Sequence, residues 1–184
     1  MPGFYVFPGG RVSSEDKLHQ DAEPLKIRDN HASGLALIFA AIRETYEETG
    51  LLLGYPALHD DDRPVRTALE AAYNARGLRP AIDALRYVGR AITPRQSPMR
   101  FNTRFFCAQG ELARGALIGN GELDDLGWRT IEECQSLPMA DVTRFMLERS
   151  ATASAERDNV IYHYVKGVPR VRREAASGEC GRTR

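Results

Sequence analysis

The chain of 184 residues carries 25 basic and 25 acidic side chains, a formal net charge of zero, with 42% hydrophobic and 27% charged residues. That balance is ordinary for a globular protein able to bury a core, and it argues against a generic nucleic-acid or membrane-surface binder. No apolar run approaches membrane-spanning length, and the widely spaced Cys107, Cys134 and Cys180 match neither a disulfide framework nor a zinc pattern, so the cytoplasm is the default compartment.

In chain order, Phe4-Tyr5-Val6-Phe7 is a short apolar run that reads as the end of a strand. Pro8, Gly9 and Gly10 then make a tight turn, where glycine permits positive φ and close backbone approach to a ligand. Residues 13–32 are polar and aperiodic and read as an exposed loop insertion, in which His19 and His31 are solvated. From 32 to 49 the spacing becomes helical, and Gly50 stops it as a C-terminal cap would. Leu51, Leu52 and Leu53 then enter the core, and Asp60, Asp61 and Asp62 read as a solvated turn rather than a second metal site.

Residues 65–76 have helical spacing through Val65, Leu69, Ala72 and Tyr73, closed by Gly77, so 65–85 is expected to form a helical insert over a sheet. Tyr73 and Tyr87 are expected to pack. Residues 85–93 and 101–108 alternate as two strands around a loop at 94–98. Arg90, Arg95, Arg100 and Arg104 flank that loop, and the planar guanidinium fork suits phosphate. Strand alternation keeps all four from converging, which leaves Arg100 and Arg104, of one parity, as the phosphate-facing pair. Further on, Trp128 is expected in the core. Residues 131–134 and 141–149 read as helices, the second with Val142, Phe145 and Met146 inward, and 160–165 reads as a strand. Residues 169–184 are basic and Gly- and Ser-bearing, the composition of a disordered tail.

The chemistry concentrates in residues 43–50, Arg-Glu-Thr-Tyr-Glu-Glu-Thr-Gly. At roughly 100° per residue, Glu44, Glu47 and Glu48 fall within about a third of the helix circumference, while Ile38, Ile42, Thr45 and Thr49 gather on another face. Like charges so placed repel by a few tenths of a kcal/mol per pair, and a hard divalent cation would hold them together. The same cluster also fits an ordinary acidic surface helix, since Glu is a strong helix former.

Taken with the Pro8-Gly9-Gly10 turn, this stretch resembles the Nudix hydrolase signature: Gly10 matches its first glycine, and Arg43, Glu44, Glu47, Glu48, Gly50 and Leu51 match its end. Asp16 stands where that family usually has Glu, and Thr45 where an aliphatic residue is usual. The stretch from Asp16 to Arg43 is longer than in the signature, which a surface-loop insertion explains at little entropic cost. Ala91-Ile92-Thr93-Pro94 and the Arg100–Phe106 segment further resemble the bacterial relatives of the peroxisomal coenzyme A diphosphatase.

The resemblance implies an α/β fold, a Nudix-type α/β/α sandwich around a mixed sheet over residues 1–168. It implies that the first strand or strands are lacking, because only seven residues precede the turn; a start assigned too far downstream is the expected reason. An unpaired sheet edge would then favour a homodimer. It implies a hydrolase dependent on Mg2+ or Mn2+ that cleaves a nucleoside diphosphate linked to another moiety, such as coenzyme A or acyl-coenzyme A, into two monophosphates. Arg43, Glu44, Glu47, Glu48 and Glu122 are the catalytic candidates, with Glu44, Glu47 and Glu48 as metal ligands. Gly9, Gly10, Arg100 and Arg104 are the substrate-binding candidates. Glu122 begins a segment, 122–128, similar to a later Nudix segment that supplies an extra ligand or the base, though it equally reads as an exposed loop acid. The implied partner is a small nucleoside diphosphate derivative, with no nucleic acid and no membrane. An alternative of another class is a catalytically impaired Nudix-like module that binds a nucleotide or a protein.

Overall fold

Helix α1, Ser33–Thr49, places Leu35, Ile38, Phe39 and Ile42 on one stripe, and all four are buried. Ile38, Phe39 and Ile42 pack on Leu52 and on Leu69, Ala72 and Tyr73 to form one core cluster. The helix ends at Gly50, whose N–H donates to the Tyr46 carbonyl at 2.8 Å and whose φ is +76°. A Cβ there would come within 2.8 Å of the Ala116 carbonyl oxygen, so the position excludes side chains on two counts. The computed structural model describes residues 3–19, 33–57, 65–94, 97, 100–152 and 159–174.

Strand β1, Leu52–Pro56, leaves the end of α1 and is the centre of a three-stranded antiparallel sheet. Its neighbours are β2, Leu78–Pro80, and the two-residue β5, Ala113–Arg114. Helix α2, Ala68–Asn74, is held at its start by a capping box between Thr67 and Glu70, and buries Leu69, Ala72 and Tyr73. The second sheet is mixed, in the order β4 (Asn102–Cys107), β3 (Arg86–Ile92), β6 (Val160–Val165), β7 (Val168–Arg173). Strands β3 and β6 run parallel, which requires a crossover. It contains α3, Ile131–Gln135, and α4, Asp141–Ser150.

Alternation along β4 divides its two faces. Phe106 joins the α1 core, whereas Phe105 and Cys107 join a second cluster of Val88, Met146 and Tyr162 built on α4. The mixed sheet therefore lies between α1 and α4, the α/β/α layering that the resemblance implies. Gly89 makes the α4 contact possible, since a Cβ there would stand 3.0 Å from Val160 Cγ2 and 3.2 Å from Met146 Sδ.

Several expectations need correction. Residues 4–7 form no strand; Tyr5 donates its N–H to the Pro138 carbonyl at 2.8 Å, and Phe4, Val6 and Phe7 stay half exposed, with no buried face to set a register. Within the expected exposed loop 13–32, Glu15–His19 forms a 3₁₀ turn that buries Asp16; 20–32 lie outside the described residues. The 65–85 segment is not purely helical, because β2 inside it extends the antiparallel sheet. The tail read from 169 contains β7, a full partner of β6; 175–184 lie outside the described residues, as do 60–62. Trp128 is 66% exposed, not core. No described helix is long and apolar enough to cross a membrane.

Candidate active site

The buried Asp16 links the segment after the glycine turn to α1. Its Oδ1 accepts from Arg43 Nε at 3.0 Å and its Oδ2 from Arg43 Nη2 at 3.1 Å, a bidentate pair closed across 27 positions of sequence. Ser13 N–H donates to the same carboxylate at 2.7 Å. Arg43 also donates from Nη2 to the Arg11 carbonyl at 2.9 Å and from Nη1 to Glu47 at 2.8 Å, with Glu44 Oε1 at 3.0 Å. The Asp16 hydrogen bond raises the Arg43 pKa further above its already high value, against the opposing effect of burial. Arg43 is thus a permanent cation joining the turn, the 3₁₀ segment and two of the helix carboxylates.

The glycines of the turn meet the helix directly. Gly9 N–H donates to Glu48 Oε2 at 3.0 Å. A Cβ on Gly10 would overlap the Glu44 carboxylate, so a side chain there would displace that carboxylate from its place against the turn. The three glutamates differ in setting: the side chain of Glu47 is 48% exposed, that of Glu44 14%, and Glu48 is buried. Burial raises the Glu48 pKa, Gly9 opposes this, and the charges of Glu44, Glu122 and Glu47 add to the rise. All three lie in the last two turns of α1, at the negative end of its dipole, and no basic residue stands in its last turn.

The loop after β5 folds over this helix end. Ile118 N–H donates to the Thr49 carbonyl at 2.9 Å, and a Cβ on Gly119 would stand 3.6 Å from the Glu48 carbonyl oxygen. Glu122 follows, exposed, its N–H held by Asn120 Oδ1 at 2.9 Å, and its charge reaches Glu48. The fold therefore brings Gly9, Gly10, Arg43, Glu44, Glu47 and Glu48 together, with Glu122 in the loop that folds over the helix end.

It does not bring the predicted arginines there by ion pairing. Arg100 is exposed ahead of β4, and Arg104 lies opposite Arg90 in the β3–β4 ladder, its Nε buried without a hydrogen-bond partner among the described residues. Arg90 instead reaches Glu174 at 3.4 Å. The partner that sequence reasoning missed is Asp16: its acidity was visible, but the loop before α1 hides which cation it meets.

As a donor set, the glutamates offer only carboxylate oxygens, which suits a hard divalent cation. Among the described residues no three acidic, histidine or cysteine side chains stand together as a ready metal cluster, because Glu44 and Glu47 face Arg43 and Glu48 faces Gly9.

No family model and no curated protein matches the chain. Among solved structures it is similar to a NUDIX hydrolase from Alicyclobacillus acidocaldarius, at 31% identity and a TM-score of 0.63, over 80% of this chain and 75% of that one. At that identity and coverage, the chain belongs to the Nudix hydrolase family.

Proposed function

We propose that the chain is a metal-dependent hydrolase of a nucleoside diphosphate linked to another moiety, with coenzyme A or acyl-coenzyme A as the substrate class. The observation that carries this reading is the excess of negative charge at the C-terminal end of α1. Three glutamates stand in the last two turns of the helix, at the unfavourable end of its dipole, with Glu122 in the loop over that end and one arginine already committed to Asp16. Such a site is best neutralised by a cation, Mg2+ or Mn2+. When bound, that cation supplies charge neutralisation at a diphosphate and a more acidic water.

Glu44, Glu47 and Glu48 would hold it. Glu47, half exposed, is the carboxylate most able to exchange its arginine partner. Arg43 orients the helix end through Asp16 and does not touch substrate. Gly10 lets the turn lie against Glu44 and Gly9 turns its backbone N–H to Glu48, so that a diphosphate would lie beside both glycines and the carboxylates. Glu122 takes the proton as water attacks one phosphorus; the anhydride P–O bond breaks, and its electron pair leaves with the other phosphate. The products are two monophosphates, and positioning and charge stabilisation supply most of the rate.

A diphosphate panel tests this: coenzyme A, an acyl-coenzyme A, ADP-ribose and a dinucleotide, each with magnesium, with manganese and with EDTA. Metal-dependent appearance of paired monophosphates, fastest from coenzyme A or its acyl form, is expected. Nucleotide binding without turnover on the whole panel would favour the impaired binding module instead.

A further inference from the structure

One arm of the chain touches both halves of this site. Gly9 donates to Glu48 at 3.0 Å, and a few residues earlier the Tyr5 hydroxyl donates to Asp125 Oδ2, a contact spanning 120 positions. Asp125 sits three residues after Glu122 in the loop that folds over α1. Its backbone is in the left-handed region, φ 51°, which aspartate adopts more readily than most side chains. Its carboxylate is held by Tyr5 and by Arg129 Nη2 at 3.3 Å. Those two partners also lower its pKa, Tyr5 most. The loop is then pinned at three points: Ile118 on Thr49, Gly119 beside the Glu48 carbonyl with Leu126 folded under it, and Asp125 on Tyr5. Glu122 lies between the second and the third.

We propose that the Tyr5–Asp125 contact is a clamp that holds the Glu122-bearing loop over the end of α1, making Tyr5 a positioning residue for the hydrolysis. This rests on the hydrolase reading above. The arm and the loop lie 120 positions apart in sequence, and the clamp fastens the far side of the loop as Ile118 and Gly119 fasten its β5 side. Tyr5 acts through the loop, by its contact with Asp125.

The test uses the full chain. Tyr5→Phe, which keeps the ring and removes the hydroxyl, is expected to lower kcat about tenfold with little change in KM, the scale of one lost hydrogen bond. In a Glu122→Gln background the same change should cost nothing further, because the group it positions is gone. Asp125→Asn, which keeps an acceptor for Tyr5, should retain most of the activity, and Asp125→Ala should behave like Tyr5→Phe. Trp128, the single tryptophan of the chain, lies three residues beyond Asp125 and is 66% exposed. Its fluorescence anisotropy should fall in Tyr5→Phe. A normal kcat in Tyr5→Phe, or an equal loss in the Glu122→Gln background, would overturn the clamp. If the wild-type chain cleaves nothing on the panel, the hydrolase reading fails, and Trp128 decides the clamp alone: an unchanged anisotropy overturns it, a lowered one upholds the positioning of the loop.

Discussion

At the scale of residues, the site is organised by one buried pair. Asp16 and Arg43 are both largely out of water, and each satisfies the other with two hydrogen bonds. Removing one partner of a buried pair typically costs about 3–5 kcal/mol. Here Arg43 keeps Glu44, Glu47 and the Arg11 carbonyl, so Asp16→Ala is expected to cost about 2 kcal/mol, below that range, and urea unfolding measures it. Glu48 carries the opposite sign. Its carboxyl is raised by burial and by its acidic neighbours, so the folded state binds that proton more tightly than the unfolded state does. Between the ordinary glutamate value and the raised one, stability therefore falls as pH rises, and above that window the fold bears the full cost of the charge. Glu48→Gln keeps an acceptor for Gly9 and removes the charge. In metal-free buffer its melting temperature should exceed that of the wild type at neutral pH, and the gap should close below the ordinary carboxylate range. A gap independent of pH would mean that packing, not charge, separates the two.

At the scale of elements, α1 was legible because its signals are local: the apolar stripe lies within the helix, and Gly50 marks its end. That end is testable. Gly50→Ala must adopt φ near +76° and push a methyl group against the Ala116 carbonyl, so a loss of about 2 kcal/mol or more in thermal or urea unfolding is expected. The elements that were not legible depend on neighbours distant in sequence. Strand β2 is three residues ending in proline and exists because β1 pairs with it. Strand β7 is exposed along its whole length, so no hydrophobic alternation announces it; its ladder with β6 holds it in place. Residues 4–7 fail in the reverse sense, being apolar enough for a strand but spent on the Tyr5 bonds to Pro138 and Asp125 and an edge contact of Phe7 with Phe105, 6.2 Å between ring centroids. Of the site, the carboxylates were readable from spacing along one helix. The Asp16–Arg43 pair and the Tyr5–Asp125 contact were not, because each closes across sequence whose path local patterns do not describe.

At the scale of the whole molecule, the mixed sheet lies between α1 and α4, and the glycine turn, the end of α1 and the loop after β5 gather at one place. The central claim is that the convergent carboxylates perform hydrolysis, and Glu47→Gln tests it most directly. Glu47 is half exposed, so the substitution should leave the unfolding curve within about 0.5 kcal/mol of wild type. Turnover of the best diphosphate under saturating magnesium should fall by about 10²-fold or more, the scale of losing one charge-stabilising group. A folded Glu47→Gln protein that releases monophosphates at the wild-type rate would contradict the account and place the chemistry elsewhere in the chain.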